Sequence, residues 1–283
     1  MAELRELARA KLNLDLLVLS RRADGYHELD SLVAFAELAD ELTFAPSDRL
    51  EREATGPFAG ELPAPTDDLV LRAAELLRAE TGVQAGAKIG IVKRLPIAAG
   101  IGGGSADAAA TLRGLNRLWG LDLGHQDLAR IGVRLGADLP VCIRSRATHM
   151  TGIGEVLAPL AEVPSYDLLL VNPRHQLPTG PVFKALRLPT AGGRKDEIGS
   201  MPLLDLLVRS RNDLEAPAKA QLPKIDEVLA AIADLPGCRL ARVSGSGATC
   251  FGLFGDGTSA AQAEGALAAA HPEWWVARSR LAA

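Results

Sequence analysis

The sequence predicts an α+β fold in two lobes, divided near residue 155. Three observations carry this. Period-2 and period-3.6 apolar patterns both occur, but without the strict strand–helix alternation of a wound parallel sheet. The texture changes beyond Glu155, and each half holds its own glycine-rich turn, Gly100–Gly104 and Gly245–Gly247. A length of 283 residues suits one large domain or two of ordinary size. No internal repeat is visible. The expected lobes are 1–155 and 156–283.

Taken in order, Ala10-Lys11-Leu12-Asn13-Leu14-Asp15-Leu16 alternates apolar and polar residues, the period of a half-buried strand. The turn-prone segment Arg21-Arg22-Ala23-Asp24-Gly25-Tyr26-His27 follows. Leu32 to Phe35 and Glu41 to Phe44 read as two further strands. Asp68 to Glu80 reads as a helix, with Leu69, Ala73, Leu76 and Leu77 on one face and acidic residues at its positive end. Ile89 to Val92 is a strand leading to Lys93-Arg94-Leu95-Pro96. The next helix carries Ala108, Leu112, Leu115 and Trp119 as one buried stripe. Another is expected from Gln126 to Leu135, stopped by Gly136. In the second half Asp167 to Asn172 is a buried strand, Pro178 to Pro181 a turn or substrate loop, and Ala191 to Gly199 a polar, mobile stretch. Leu203 to Leu207 and Lys224 to Ala233 read as helices. Strands Leu240 to Val243 and Cys250 to Phe254 flank the second glycine turn.

Composition narrows the function class. Hydrophobic content of 48% with 23% charged residues is an ordinary globular balance. A net charge of −4 gives no general electrostatic reason to expect a nucleic-acid partner. No apolar run approaches the roughly 18 residues of a membrane span, and Met1-Ala2-Glu3-Leu4-Arg5-Glu6 lacks the apolar core of a signal peptide. Cys142, Cys238 and Cys250 are scattered without zinc-ligand spacing, as small hydrophobes in a reducing compartment. A cytoplasmic protein without membrane or nucleic-acid partners is expected.

The segment Pro96-Ile97-Ala98-Ala99-Gly100-Ile101-Gly102-Gly103-Gly104-Ser105-Ala106 runs straight into a helical pattern. Its glycines expose backbone N–H groups with no Cβ in the way. The first amides of the following helix lack internal partners, and the helix dipole favours an anion. A phosphate is the natural occupant. The commonest owners of such loops fail by spacing. GxxxxGK[ST] is absent, and neither glycine turn completes GxGxxG. His-Arg-Asp and Asp-Phe-Gly are absent as well.

Pro-x-x-x-Gly-Ile-Gly-Gly-Gly-Ser instead resembles the nucleotide-binding motif of the GHMP kinases. Two further motifs of that superfamily have counterparts in the right order. They are Ala10-Lys11-Leu12-Asn13-Leu14 and Ser244-Gly245-Ser246-Gly247-Ala248-Thr249. The resemblance therefore implies a two-lobed GHMP-kinase-like fold with mixed sheets and helices and an active site between the lobes. ATP would sit on lobe 1–155, on residues 96–106, with substrate on lobe 156–283. Arg21 to Leu29 and Gly136-Ala137-Asp138-Leu139-Pro140 resemble the branch that phosphorylates a CDP-linked sugar alcohol in isoprenoid precursor synthesis. Mevalonate and homoserine kinases share the loop but lack the Asp-Gly-Tyr-His segment. Those kinases, and a catalytically silent nucleotide-binding protein on the same scaffold, are the alternatives. The loop departs from the family pattern where a second Ser is replaced by Ala106, and Asp68 stands where the family often has Asn.

By resemblance, Asp138 orients and deprotonates the attacking hydroxyl, and Lys11 beside it stabilises developing charge. The competing readings are a helix N-cap for Asp138 and a solvated strand residue for Lys11. Asn13 would hold the geometry of that pair or simply satisfy backbone. Tyr26 and His27 are implied for the cytosine, against a buried Tyr with a hydrogen-bonded His. Phe183 is implied for the opposite side of the base, against a core role. Gly245, Ser246 and Gly247 are implied near substrate, against a mere close backbone approach. Magnesium is expected with the ATP phosphates rather than in a protein cage. Arg21 and Arg22 are candidates for the substrate diphosphate, against solvated surface roles.

Overall fold

A computed structural model describes residues 4–160, 163–188 and 193–282. In chain order its elements are β1 (Leu4–Asn13), β2 (Leu17–Arg21), β3 (His27–Ser47), β4 (Leu50–Thr55), α1 (Leu69–Thr81), β5 (Gly86–Val92), α2 (Gly103–Leu118), α3 (His125–Gly132) and α4 (Leu139–Arg144). Then follow β6 (Thr148–Gly152), β7 (Val156–Pro159), β8 (Asp167–Asn172), α5 (Thr179–Ala185), α6 (Leu203–Arg209), α7 (Glu215–Gln221), α8 (Lys224–Ala233), β9 (Cys238–Val243), β10 (Cys250–Phe254), α9 (Gly257–Ala270) and β11 (Trp275–Arg280). None of these helices is long and apolar enough to cross a membrane.

The mixed α+β class agrees with the sequence. Its two compact units interleave along the chain. The first takes the N-terminal stretch up to Lys11, then Ala39–Ile97 and Gly102–Ser145; the second takes Leu12–Leu38, Ala98–Ile101 and everything from Arg146 onward. The long strand β3 passes from one to the other. Sequence periodicity breaks β3 into Leu32–Phe35 and Glu41–Phe44, because Glu37, Asp40 and Glu41 interrupt the apolar run. Backbone pairing carries the strand straight through them.

In the first unit the second half of β3 pairs antiparallel with β5, whose other edge takes β4 in parallel. Helix α1 starts at an Asp68 cap, whose carboxylate accepts from the N–H groups of Val70 and Leu71. It ends at Gly82 in the left-handed region. Helix α2 packs on α1 and α4. The ring of Phe44 lies where a Cβ on Gly114 would stand, so only glycine lets strand and helix approach there. The expected helix after residue 125 stops at Gly132, short of Leu135.

In the second unit β6 pairs with β7 and with the first half of β3. A separate four-stranded antiparallel sheet has the order β11-β8-β10-β9. Every residue of β8 is buried, as its continuous apolar run requires. Leu169, Val171, Ile225, Val228, Ile232, Cys250 and Phe254 form the core between this sheet and its helices.

One expectation fails here. Pro178 to Pro181 is the start of α5, with proline at the helix N-terminus where its missing N–H costs nothing. Of the polar stretch Ala191–Gly199, residues 191 and 192 lie outside the described set. Arg194 within it is held by two buried or half-buried carboxylates rather than free. Its guanidinium bonds Asp15 (2.7 and 3.2 Å) and Asp30 (2.8 Å).

Candidate active site

In the first unit β1 delivers Lys11, an ammonium on a side chain 4% exposed. Its Nζ donates to Asp138 Oδ1 at 2.8 Å. Asp138 does occupy the N-cap position of α4, but its side chain caps nothing. The carboxylate is spent on Lys11, and 40% of it faces solvent. A buried cation against a carboxylate that is open on one side can meet an incoming group.

Gly102 lies next to this pair. It has φ 62°, and a Cβ on it would come within 3.1 Å of the Lys11 Cβ. Glycine is therefore required twice, by backbone conformation and by space. Gly102 is the N-cap of α2, so the amides of Gly103, Gly104 and Ser105 are the unpaired first-turn donors of that helix. Gly104 is exposed and Gly103 and Ser105 are half-buried, whereas Ala106 is buried at 3%.

Pro96 is buried and Ala98 is exposed with φ 51°. At the head of α2, where a Cβ on Gly103 would stand 3.4 Å from Lys93 Nζ, lies a charge cluster that sequence reasoning missed. Lys93 Nζ, fully buried, bonds Asp107 Oδ2 at 2.6 Å and the Asp40 carboxylate. Burial pushes the Asp107 carboxyl up to about 7, against the pull of Lys93. Burial alone would lower the Lys93 ammonium, but Asp107 and Asp40 outweigh it and hold it above its ordinary value. A signal was available. Asp107 stands inside the run Ala106–Ala110, where every helical face is apolar, so a carboxylate there needs a buried partner.

In the second unit the two glycine turns meet. Thr249 N–H donates to the Ala99 carbonyl at 3.0 Å, and Ser244 Oγ donates to that of Gly100 at 3.0 Å. A Cβ on Gly100 would overlap the Gly247 carbonyl oxygen and approach that of Ser244 to 2.7 Å. Asn13 joins the cluster. Its N–H reaches Ser244 Oγ at 3.3 Å, its amide donates to Ser31 Oγ at 2.8 Å, and its Oδ1 lies 3.2 Å from where a Gly245 Cβ would be. Asn212 donates to the carbonyls of Val243 (2.8 Å) and Gly245 (2.7 Å), fixing the turn. Ser246 Oγ lies 2.9 Å from Thr179 Oγ1.

The segment after β2 forms the expected projecting turn. Gly25 has φ 90°, and Asp24 Oδ1 accepts from the Tyr26 N–H at 3.1 Å. Tyr26 stands 57% exposed, which excludes the buried-tyrosine alternative. His27 and Phe183 face each other with ring centroids 5.2 Å apart and planes inclined at 32°. Burial, with Arg21 adding to it, lowers the His27 pKa and so favours the neutral imidazole. Arg22 is paired locally, to Asp24 in its own turn and to Glu28 in β3, at 3.1 Å each.

Known proteins are similar to this chain in sequence and in fold. The GHMP kinases N terminal domain matches residues 68–146, and the GHMP kinases C terminal domain matches 194–273. A 4-diphosphocytidyl-2-C-methyl-D-erythritol kinase of Paramagnetospirillum magneticum is 49% identical, covering 97% of both chains. Its counterpart in Parvibaculum lavamentivorans is 50% identical over 96% of both. A crystal structure of 4-(cytidine 5'-diphospho)-2C-methyl-D-erythritol kinase superposes with TM-score 0.80 at 35% identity, covering 99% of this chain and 100% of that one. A homoserine kinase from Cytophaga hutchinsonii shares the fold at TM-score 0.76 and 18% identity, covering 99% of this chain and 95% of that one. Identity near one half along almost the whole length, with both domain matches inside it, leaves one assignment: the chain belongs to the 4-diphosphocytidyl-2-C-methyl-D-erythritol kinase family of the GHMP kinases.

Proposed function

We propose that this chain transfers the γ-phosphoryl group of ATP to a hydroxyl of 4-diphosphocytidyl-2-C-methyl-D-erythritol, giving the 2-phosphate and ADP for isoprenoid precursor synthesis. The observation that carries the chemistry is the Lys11–Asp138 pair beside Gly102 at the head of α2. The substrate follows from the relatives' names at 49% and 50% identity. His27 paired with Phe183 and an exposed Tyr26 supply aromatic surface for a pyrimidine.

ATP supplies the phosphoryl group and the leaving oxygen. Backbone N–H groups of Gly103, Gly104 and Ser105 hold phosphate oxygens at the positive end of α2. Asp138 accepts the hydroxyl proton as the new oxygen–phosphorus bond forms and the bond to the ADP oxygen breaks, then releases it to solvent. Lys11 holds the Asp138 carboxylate by a 2.8 Å hydrogen bond and offsets negative charge developing beside it. In a loose transition state the proton leaves late, so orientation matters more than basicity.

Magnesium fits as a companion of the triphosphate. The donors at the loop mouth are backbone amides and Ser105, so most of its ligands would come from phosphate and water. In its neutral form, which burial favours, His27 offers one N–H and one acceptor nitrogen to the base edge. A cytoplasmic setting belongs to the same reading and rests on three free cysteines, two of them buried.

The test is ADP release by the full chain with each of three alcohols. Turnover should depend on the CDP-alcohol and be at background with mevalonate and homoserine. Turnover with either of the latter would reassign the substrate. ATP binding without turnover on any would make the chain a silent nucleotide binder.

A further inference from the structure

The buried cluster of Lys93, Asp40 and Asp107 has no part in the phosphoryl transfer itself, yet it closes the stem of the phosphate loop. Asp40 Oδ1 accepts from the N–H groups of Arg94 (2.5 Å) and Leu95 (2.9 Å), where the chain leaves β5 toward the loop. The other oxygen of Asp40 takes Lys93 Nζ. The same ammonium reaches Asp107, in the second turn of α2, where the chain has left the loop. One cation thus ties residues 93–95 to residue 107. It also lies directly under the helix start, since a Cβ on Gly103 would sit 3.4 Å from Nζ.

As a stabilising device the cluster is poor. Three ionisable groups are removed from water, and burial together with the neighbouring Asp40 carboxylate pushes the Asp107 carboxyl up against the pull of Lys93. Apolar residues of similar volume generally serve stability as well or better. What apolar residues cannot do is hold two backbone amides and a helix turn at one point. A glycine-rich loop has much conformational entropy to lose when it closes on a ligand, and pinning both its ends removes part of that cost in advance.

We propose that Lys93, clasped by Asp40 and Asp107, is a positioning residue that preorders the 96–106 loop for nucleotide phosphates. The inference rests on the phosphate-loop reading and leaves the identity of the alcohol aside. Its test uses the full chain with ADP as the probe, titrated by calorimetry. Asp107→Ala releases the α2 stem while Lys93 keeps Asp40. It should raise the ADP Kd about tenfold and leave the KM for the CDP-alcohol within about twofold. Asp107→Asn, which retains an acceptor for Lys93, should restore most of the affinity. A purely structural cluster would lower Tm in Asp107→Ala with the ADP Kd unchanged, and that result overturns the clasp. Should Asp107→Ala not fold, Asp107→Leu fills the space, leaves Lys93 paired to Asp40, and is read by the same criteria. A wild-type chain that fails to bind ADP overturns the phosphate-loop reading itself. One that binds ADP and phosphorylates another alcohol overturns only the substrate, and the clasp stands.

Discussion

Asp138 shows how a single side chain separates two readings of the same motif. An Asp before Leu-Pro at a helix start is an ordinary N-cap by sequence, and the structure puts it at that position. Its carboxylate nevertheless ignores the helix and takes Lys11 from a strand 127 positions away. Long-range pairing of this kind leaves no periodic trace, so only the motif resemblance could nominate it. The turn before Tyr26 is more legible, because Asp24-Gly25 is a turn signal and such a turn projects the next side chains outward. Tyr26→Ala should raise the KM for the CDP-alcohol roughly tenfold, the worth of one base stack, and leave the KM for ATP unchanged. An unchanged KM for the alcohol removes Tyr26 from the site. Asp107 makes a pH prediction. Its carboxyl rises from an ordinary 3.8 to about 7 on burial. The folded state therefore holds a proton that the unfolded chain has lost, and its contribution to stability is full below pH 3.8 and lost as pH rises through about 7. In urea titrations the advantage of wild type over Asp107→Asn should shrink between pH 5 and pH 8. A gap that widens would contradict the assignment.

Elements with strong local codes were readable and those defined by their neighbours were not. Lys224–Ala233 and Cys250–Phe254 fall where apolar spacing puts them. Edge strand β4, Leu-Glu-Arg-Glu-Ala-Thr, is half-exposed or exposed throughout and carries no clean alternation. Helix α9 is so rich in alanine that no apolar stripe stands out, although Asp256 caps it through the Ser259 N–H. The glycine turns were legible as turns, the first with the amides an anion would need, but their mutual contact was not. Gly100→Ala tests that contact. The new Cβ meets two carbonyl oxygens at a φ of 73°, so the variant should lose about 2 kcal/mol or more in denaturant unfolding. A neutral effect would mean that the turns do not hold each other. Buried thiols provide a check on the core. Burial pushes Cys142 up to about 12 and raises Cys250 as well, so both should stay unreactive toward a disulfide reagent at pH 8 until the chain unfolds.

At the scale of the molecule, the α+β class was readable because both periodicities are present in strength. The interleaving of its two compact units was not, because the chain changes unit inside the unbroken strand β3 and again within the glycine loop. No composition shift marks the crossings in β3 and the loop, which are three of five along the chain. Function was legible for a different reason: phosphate cradles need glycine and free helix amides, and that demand is written locally. The central claim is that this family member moves phosphate from ATP to a CDP-alcohol by way of Lys11 and Asp138. The most direct measurement tracks CDP-alcohol-dependent ADP release and ADP affinity side by side, in wild type and Asp138→Ala. Removing a positioned acid–base group should cost at least about 10²-fold in kcat while the ADP Kd stays within about twofold. Wild-type turnover by Asp138→Ala, or equal loss of nucleotide binding and turnover, would contradict it.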